Sequence, residues 1–122
     1  MITKDLISVV MSNYNTDEEY LRAAIESVLN QTYENFEFII VDDCSTNNSV
    51  DVIESYSDKR IKLIKNKGNM GLTKSLNIAI KAAKGEFIAR MDADDIALPQ
   101  RFEKQIEFLK KKSGIYRLWY SN

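Results

Sequence analysis

The stretch IKLIKNKGNMGLTKSLNIAIKAAKGEFIARM, residues 61–91, decides the fold class. It opens with a short apolar segment, Ile61 to Lys65, and closes with another, Glu86 to Met91, both of strand length. Between them Leu72, Leu76, Ala79, Ile80 and Ala83 recur at helical spacing, and Gly85 stands where a left-handed residue would close that helix. Strand, helix, strand implies a right-handed crossover and parallel pairing. The alternation continues outward. Ile7 to Met11 and Phe36 to Val41 read as further strands. Leu21, Ala24, Ile25, Val28 and Leu29 form a helical stripe, preceded by Thr16-x-x-Glu19 in the form of a capping box. Val50, Ile53 and Tyr56 mark a shorter helix after STNNS, and Phe102, Ile106 and Leu109 a fourth, with Pro99 expected in its first turn. The class is α/β, a Rossmann-like parallel sheet with helices on both faces. The last ten residues, SGIYRLWYSN, offer a fifth strand of less clear pattern.

Composition excludes several function classes. The 122 residues are 44% hydrophobic and 29% charged, with a net charge of -1, so disorder and a strong basic field for nucleic acid are both disfavoured. No apolar run reaches the eighteen or so residues of a membrane span and no signal peptide is evident, so a cytoplasmic protein is expected. Cys44 is alone and the chain has no histidine. Cys-His and Ser-His-Asp catalysis and the usual zinc sites therefore fall away, leaving acid, base or metal chemistry mainly to Asp and Glu.

Open α/β sheets bind ligands beyond the carboxyl ends of their strands, and the polar residues of this sequence collect there. Ser12 and Tyr14 follow the first strand, Asp42 and Asp43 the second, the loop from Asn66 to Gly71 the third, and Asp92, Asp94 and Asp95 the fourth. Two unit charges about 4 Å apart repel by roughly 4 kcal/mol near a protein surface, so the last cluster needs an offset. Hard carboxylate oxygens suit Mg²⁺ or Mn²⁺, which take one or two of them and complete their shell with phosphate. Equally, the three aspartates suit turns and the N-terminus of the following helix. An EF-hand is a poor fit, since the sixth loop position lacks glycine. Asp42 and Asp43 suit either a ligand N–H or hydroxyl, or local turn formation. Gly68, Gly71 and Lys74 suit phosphate at a helix N-terminus or a plain glycine turn, without P-loop spacing. Tyr14 suits stacking on a planar ring or partial burial in its loop.

Taken together, ISVVMSNYN, SVLNQTYENFEFIIVDDCSTNNS, NKGNMGLTKSLNIAIKAAKGEFIARMDADD and LPQRFEKQIEFL resemble the inverting family 2 glycosyltransferases of the GT-A fold, over roughly residues 6 to 112. The resemblance implies a domain over residues 1–112 that binds a nucleotide-diphosphate sugar, most often a UDP-sugar, with Mn²⁺ or Mg²⁺, followed by an atypical tail over 113–122. It implies nucleotide contacts from Ser12, Tyr14, Asp42, Asp43, Lys74 and Asp92, and metal contacts from Asp94 and Asp95. The chemistry it implies is direct displacement at the anomeric carbon by an acceptor hydroxyl of a glycan, protein or lipid. The general base is expected beyond residue 122, in an acceptor-building half, so the chain reads as the nucleotide-binding half of the fold. A homo-oligomer through Ile115 to Tyr120 is expected from uncovered apolar surface, and a peripheral place at the inner face of a membrane is compatible with the family. Two alternatives stand beside this reading: a non-catalytic nucleotide-sugar-binding module, and a phospho-receiver domain. The latter would carry its acidic pair after the first strand rather than the second.

Overall fold

A computed structural model describes residues 2–111 and the backbone of residues 119–120. Along the chain, β1 (Thr3–Asn13), α1 (Glu18–Leu29), β2 (Phe36–Asp42), α2 (Ser49–Glu54) and β3 (Ile61–Lys65) are followed by α3 (Leu72–Ala82), β4 (Gly85–Asp92), α4 (Arg101–Lys111) and β5 (Trp119–Tyr120). The strands form one parallel sheet in the order β3-β2-β1-β4-β5. The chain thus builds outward from β1 to β3, then returns to the other side of β1. That reversal opens a crevice at the carboxyl ends of β1 and β4. Register brings the crevice's polar residues abreast: Ser12 pairs with Asp92, and Asn13 with Asp42.

Strand alternation divides the core into two layers. Ile7, Val9 and Met11 face α1, α2 and α4, and pack with Leu21, Ile25, Ile53, Phe102 and Ile106. Val10 points the other way, with Ile39, Val41 and Ile88, under Leu76 and Ala79 of α3. Helices therefore cover both faces, as the sequence implies. Phe102 is fully buried and meets the Phe36 ring edge-on at 6.0 Å. Burying such a ring contributes about 2–3 kcal/mol.

Several local expectations give way to tertiary packing. Gly85 does not cap α3, whose C-cap is Ala83 in extended conformation. Instead it opens β4, where a Cβ would lie 2.6 Å from the Leu6 carbonyl oxygen and 2.7 Å from the Ser8 nitrogen. No capping box forms at Thr16. α1 starts at Glu18 after Asp17, and the Thr16 carbonyl accepts a bond from Asn47 Nδ2 (3.2 Å) instead. Pro99 precedes α4 rather than entering it, because its carbonyl is held by the Thr32 N–H (2.9 Å). In the tail, Trp119 and Tyr120 pair in parallel with Ile88 and Ala89, giving the fifth strand. The oligomer contact expected at Ile115 to Tyr120 lies outside the described side chains.

Glu37 is a buried carboxylate far from the crevice. It accepts bonds from Ser8 Oγ (2.5 Å), the Lys84 N–H (2.6 Å) and Lys62 Nζ (2.9 Å). Burial works against its charge, but these donors outweigh it and hold the carboxyl below the usual range. The stability this supplies is complete above the unfolded value of about 4.3 and disappears as pH falls through the lower folded value. Glu37→Gln is accordingly expected to unfold at lower urea than the native chain at pH 7, with the gap shrinking at about pH 3. A gap unchanged between the two pH values would remove the charge argument.

Candidate functional site

At the carboxyl end of β1 the chain turns through Asn15, whose φ of 53° lies in the left-handed region, as does that of Cys44 (64°) at the end of β2. Both turns are locked by side chains. Asn15 Oδ1 accepts from the Thr46 and Asn47 N–H groups (2.7 and 3.2 Å), while its own N–H donates to Ser45 Oγ (2.9 Å). Asn13 Nδ2 donates to Asp42 Oδ1 (2.8 Å) and Ser49 Oγ (2.9 Å). The two strand ends are knitted into one rim, and the unusual backbone is over-determined by these bonds.

The acidic pair after β2 divides its labour. Asp42 is buried, and its carboxylate is engaged by Asn13 and by the Ser45 hydroxyl and N–H (2.6 and 3.0 Å). Asp43 holds the glycine loop: the N–H groups of Met70 and Gly71 donate to its two oxygens (2.7 and 2.9 Å), and Asn66 Nδ2 adds a third bond (3.0 Å). Burial opposes charge on Asp43, yet the Met70 N–H, the Asn66 amide and the Gly71 N–H prevail and hold its carboxyl below the ordinary range. It is therefore an acceptor at neutral pH. Gly71 has a φ of 91°, which a residue with a Cβ adopts only at a cost, and this turn aims the loop at the crevice.

Ser12, Tyr14, Asp43, Asp92 and Asp94, drawn from three strand ends, line one cleft of about 620 Å³. Tyr14 is half exposed there, so its ring is available to a ligand. Asn69, Gly71 and Leu72 form the opposite wall, and Thr16, Asp17 and Tyr20 extend the rim. Sequence reasoning did not single out Asn69 or Tyr20. Asn69 offered only its place in the loop after β3, and Tyr20, in the first turn of α1, offered only an aromatic off the apolar stripe. Asp42, Lys74 and Asp95 are not among the lining residues. Asp42 is turned into the rim network, Lys74 is exposed in the first turn of α3, and Asp95 is half-buried. A larger cleft of about 830 Å³, mostly apolar, lies beside α4 between Leu98 and Lys104. It is lined by no carboxylate and by none of the residues expected to hold a ligand.

Two arginines escaped the sequence reading, and both relieve the acidic crowding. Arg90 Nη2 lies 3.2 Å from Asp92 Oδ1. Arg101, at the start of α4, donates to the Arg90 carbonyl (3.0 Å) and reaches Met91 Sδ (2.7 Å). Burial pushes its guanidinium down from the ordinary range, while the charge of Asp95 works the other way. Among the described residues, no group of three or more acidic, histidine or cysteine side chains is arranged to hold an ion by itself. The acids of the β4 end therefore form no closed cage for an ion by themselves.

Comparison with known proteins gives the family and the fold. The family model described as Glycosyl transferase family 2 matches residues 8–117. An uncharacterized glycosyltransferase of Methanocaldococcus jannaschii is 48% identical over 115 residues, covering 92% of this chain and 40% of that one. The UDP-Glc:alpha-D-GlcNAc-diphosphoundecaprenol beta-1,3-glucosyltransferase WfaP of Escherichia coli is 38% identical, covering 97% of this chain and 46% of its own length. The crystal structure of S. aureus TarS 1–349 in complex with UDP-GlcNAc superimposes with a TM-score of 0.81 at 30% identity, over 86% of this chain and 31% of that one. The chain thus spans less than half the length of these relatives. Its fold is the GT-A, Rossmann-like fold implied by the resemblance.

Proposed function

The chain belongs to glycosyl transferase family 2, and on that footing we propose that its cleft binds a nucleotide-diphosphate sugar, specifically a UDP-sugar, for inverting transfer to an acceptor hydroxyl. The observation that carries this is the convergence of Ser12, Tyr14, Asp43, Asp92 and Asp94 on one cleft at the switch point of the sheet. Tyr14 stacks on the base beside Ser12, and Asp43, locked as an anionic acceptor, takes a ligand N–H or hydroxyl. Asp42 supports this pair from within the rim. Asp92 reads the ribose, and Lys74 reaches toward the diphosphate from the first turn of α3. Asp94 and Asp95 would hold Mn²⁺ or Mg²⁺ together with the diphosphate. When bound, that ion stabilises negative charge on the departing diphosphate. The residues of this chain orient the donor, while the base that takes the acceptor proton is an Asp or Glu outside the residues assigned here.

The UDP-GlcNAc bound by TarS and the UDP-Glc in the name of WfaP support a UDP-sugar donor. The diphosphoundecaprenol in the latter name supports a lipid-linked acceptor for the whole protein. No helix among the described residues is long and apolar enough to cross a membrane. Peripheral attachment at the inner membrane face, through parts of the protein outside this domain, fits such an acceptor. Self-association through the tail is part of the same proposal.

Calorimetric titration with UDP, with and without Mn²⁺, tests the reading. Metal is expected to tighten binding by about tenfold or more, and Asp94→Ala is expected to remove that gain. No UDP binding in any condition would overturn the proposal. Binding to the native protein without turnover on any acceptor would favour a donor-binding module instead.

A further inference from the structure

The acids at the end of β4 stand on a loop, residues 93–100, that buries little of itself. Ile96 and Leu98 are 64% and 75% exposed, and the apolar contacts inward come from the small side chains Ala93 and Ala97. Two methyl groups are a weak hold for eight residues of chain. Turn bonds hold its two ends, from the Asp95 N–H to the Asp92 carbonyl and from the Arg101 N–H to the Leu98 carbonyl (both 3.0 Å), and a row of hydrogen bonds from the end of α1 fixes the stretch between them. Ser27 Oγ accepts from the Ala97 N–H (3.0 Å), and the Thr32 N–H donates to the Pro99 carbonyl (2.9 Å). Between them, Gln31 uses both ends of its amide: Nε2 donates to the Leu98 carbonyl (2.6 Å), and Oε1 accepts from the Phe102 N–H (3.0 Å). Gln31 is 4% exposed, so water cannot replace either bond. The Phe102 bond also satisfies one of the open N–H groups in the first turn of α4, from which Arg101 reaches back to the β4 end.

We infer that Gln31 is a positioning residue for Asp94 and Asp95. Its amide joins α1 to the far end of the acidic loop and to the first turn of α4, and so sets where the two carboxylates stand relative to the cleft. This rests on the proposed reading of those carboxylates as metal acids. Only a side chain with a donor and an acceptor fits. Glutamate keeps the acceptor and loses the donor to Leu98, and methionine keeps the volume and loses both.

The test compares the gain in UDP affinity on adding Mn²⁺ in the native chain, Gln31→Met and Ser8→Ala. The last variant loosens the Glu37 network at the opposite end of the sheet and controls for general destabilisation. Gln31→Met is expected to lose about tenfold of the metal-dependent gain, with metal-free UDP affinity unchanged and faster amide hydrogen exchange at Ala97 and Phe102. Ser8→Ala is expected to keep the gain. A full metal-dependent gain in folded Gln31→Met would overturn this inference alone. No gain in the native chain would overturn the metal reading of Asp94 and Asp95, and this inference with it.

Discussion

Gly85→Ala is expected to destabilise the fold by about 3 kcal/mol, a large share of a typical total of 5–15 kcal/mol. The added methyl would lie 2.5 Å from Ser8 Oγ, 2.6 Å from the Leu6 oxygen and 2.7 Å from the Ser8 nitrogen. Two of these atoms are backbone of β1, the central strand, which is held on both sides by β2 and β4. Ser8 pairs with Glu37 and Ile88 and cannot move without breaking ladder bonds, while Leu6 stands at the register shift between Thr3 and Ile7. The third is pinned as well, since Ser8 Oγ accepts from the Gly85 N–H (2.8 Å) while donating to Glu37. For the same reason, adding Ser8→Ala is expected to restore little of the loss. Guanidinium unfolding followed by circular dichroism would measure both. A cost under about 1 kcal/mol would mean that β1 and β4 stand further apart at this point in solution.

Asp43→Ala is expected to weaken UDP binding by about 100-fold, close to 2.7 kcal/mol. Two losses add. The cleft loses its buried anionic acceptor, and the N–H groups of Met70 and Gly71 lose the carboxylate that aims their loop, so Asn69 and Gly71 no longer form a fixed wall. Asp43→Asn separates the two effects. One acceptor oxygen remains for the loop while the negative charge is gone, so an intermediate loss is expected. Calorimetry gives the affinities, and hydrogen exchange at Met70 and Gly71 reports the latch directly. An affinity within threefold of the native value in Asp43→Ala would contradict the assignment of this carboxylate to the donor site.

These two residues also mark how far the sequence could be read. Asp43 was legible as a polar residue at the end of a buried strand, because strands of an open α/β sheet deliver their carboxyl ends to one edge. That Asp43 faces the cleft while its neighbour Asp42 is turned into the rim was not legible. The difference comes from Asn13 and Ser45, one of them on another strand, which consume the Asp42 carboxylate. Gly85 shows the same limit more sharply. A glycine after a helical stripe has the form of a C-cap, yet its constraint comes from Leu6 and Ser8, nearly eighty positions away in sequence. Arg90 and Arg101 gave no signal at all, since a half-buried guanidinium has no periodicity to betray it.

The sequence by itself determined which segments are strands and which are helices, that the sheet is parallel, and which four strand ends carry polar groups. Apolar spacing and strand-helix alternation are local properties, and burial acts on each segment in the same way wherever it ends up. Only the tertiary structure decided the strand order, the partner of each buried carboxylate, and the tether from Gln31 to the acidic loop. A buried polar group must be satisfied by whatever donor or acceptor stands within about 3 Å, and that neighbour is set by packing between elements distant in the chain.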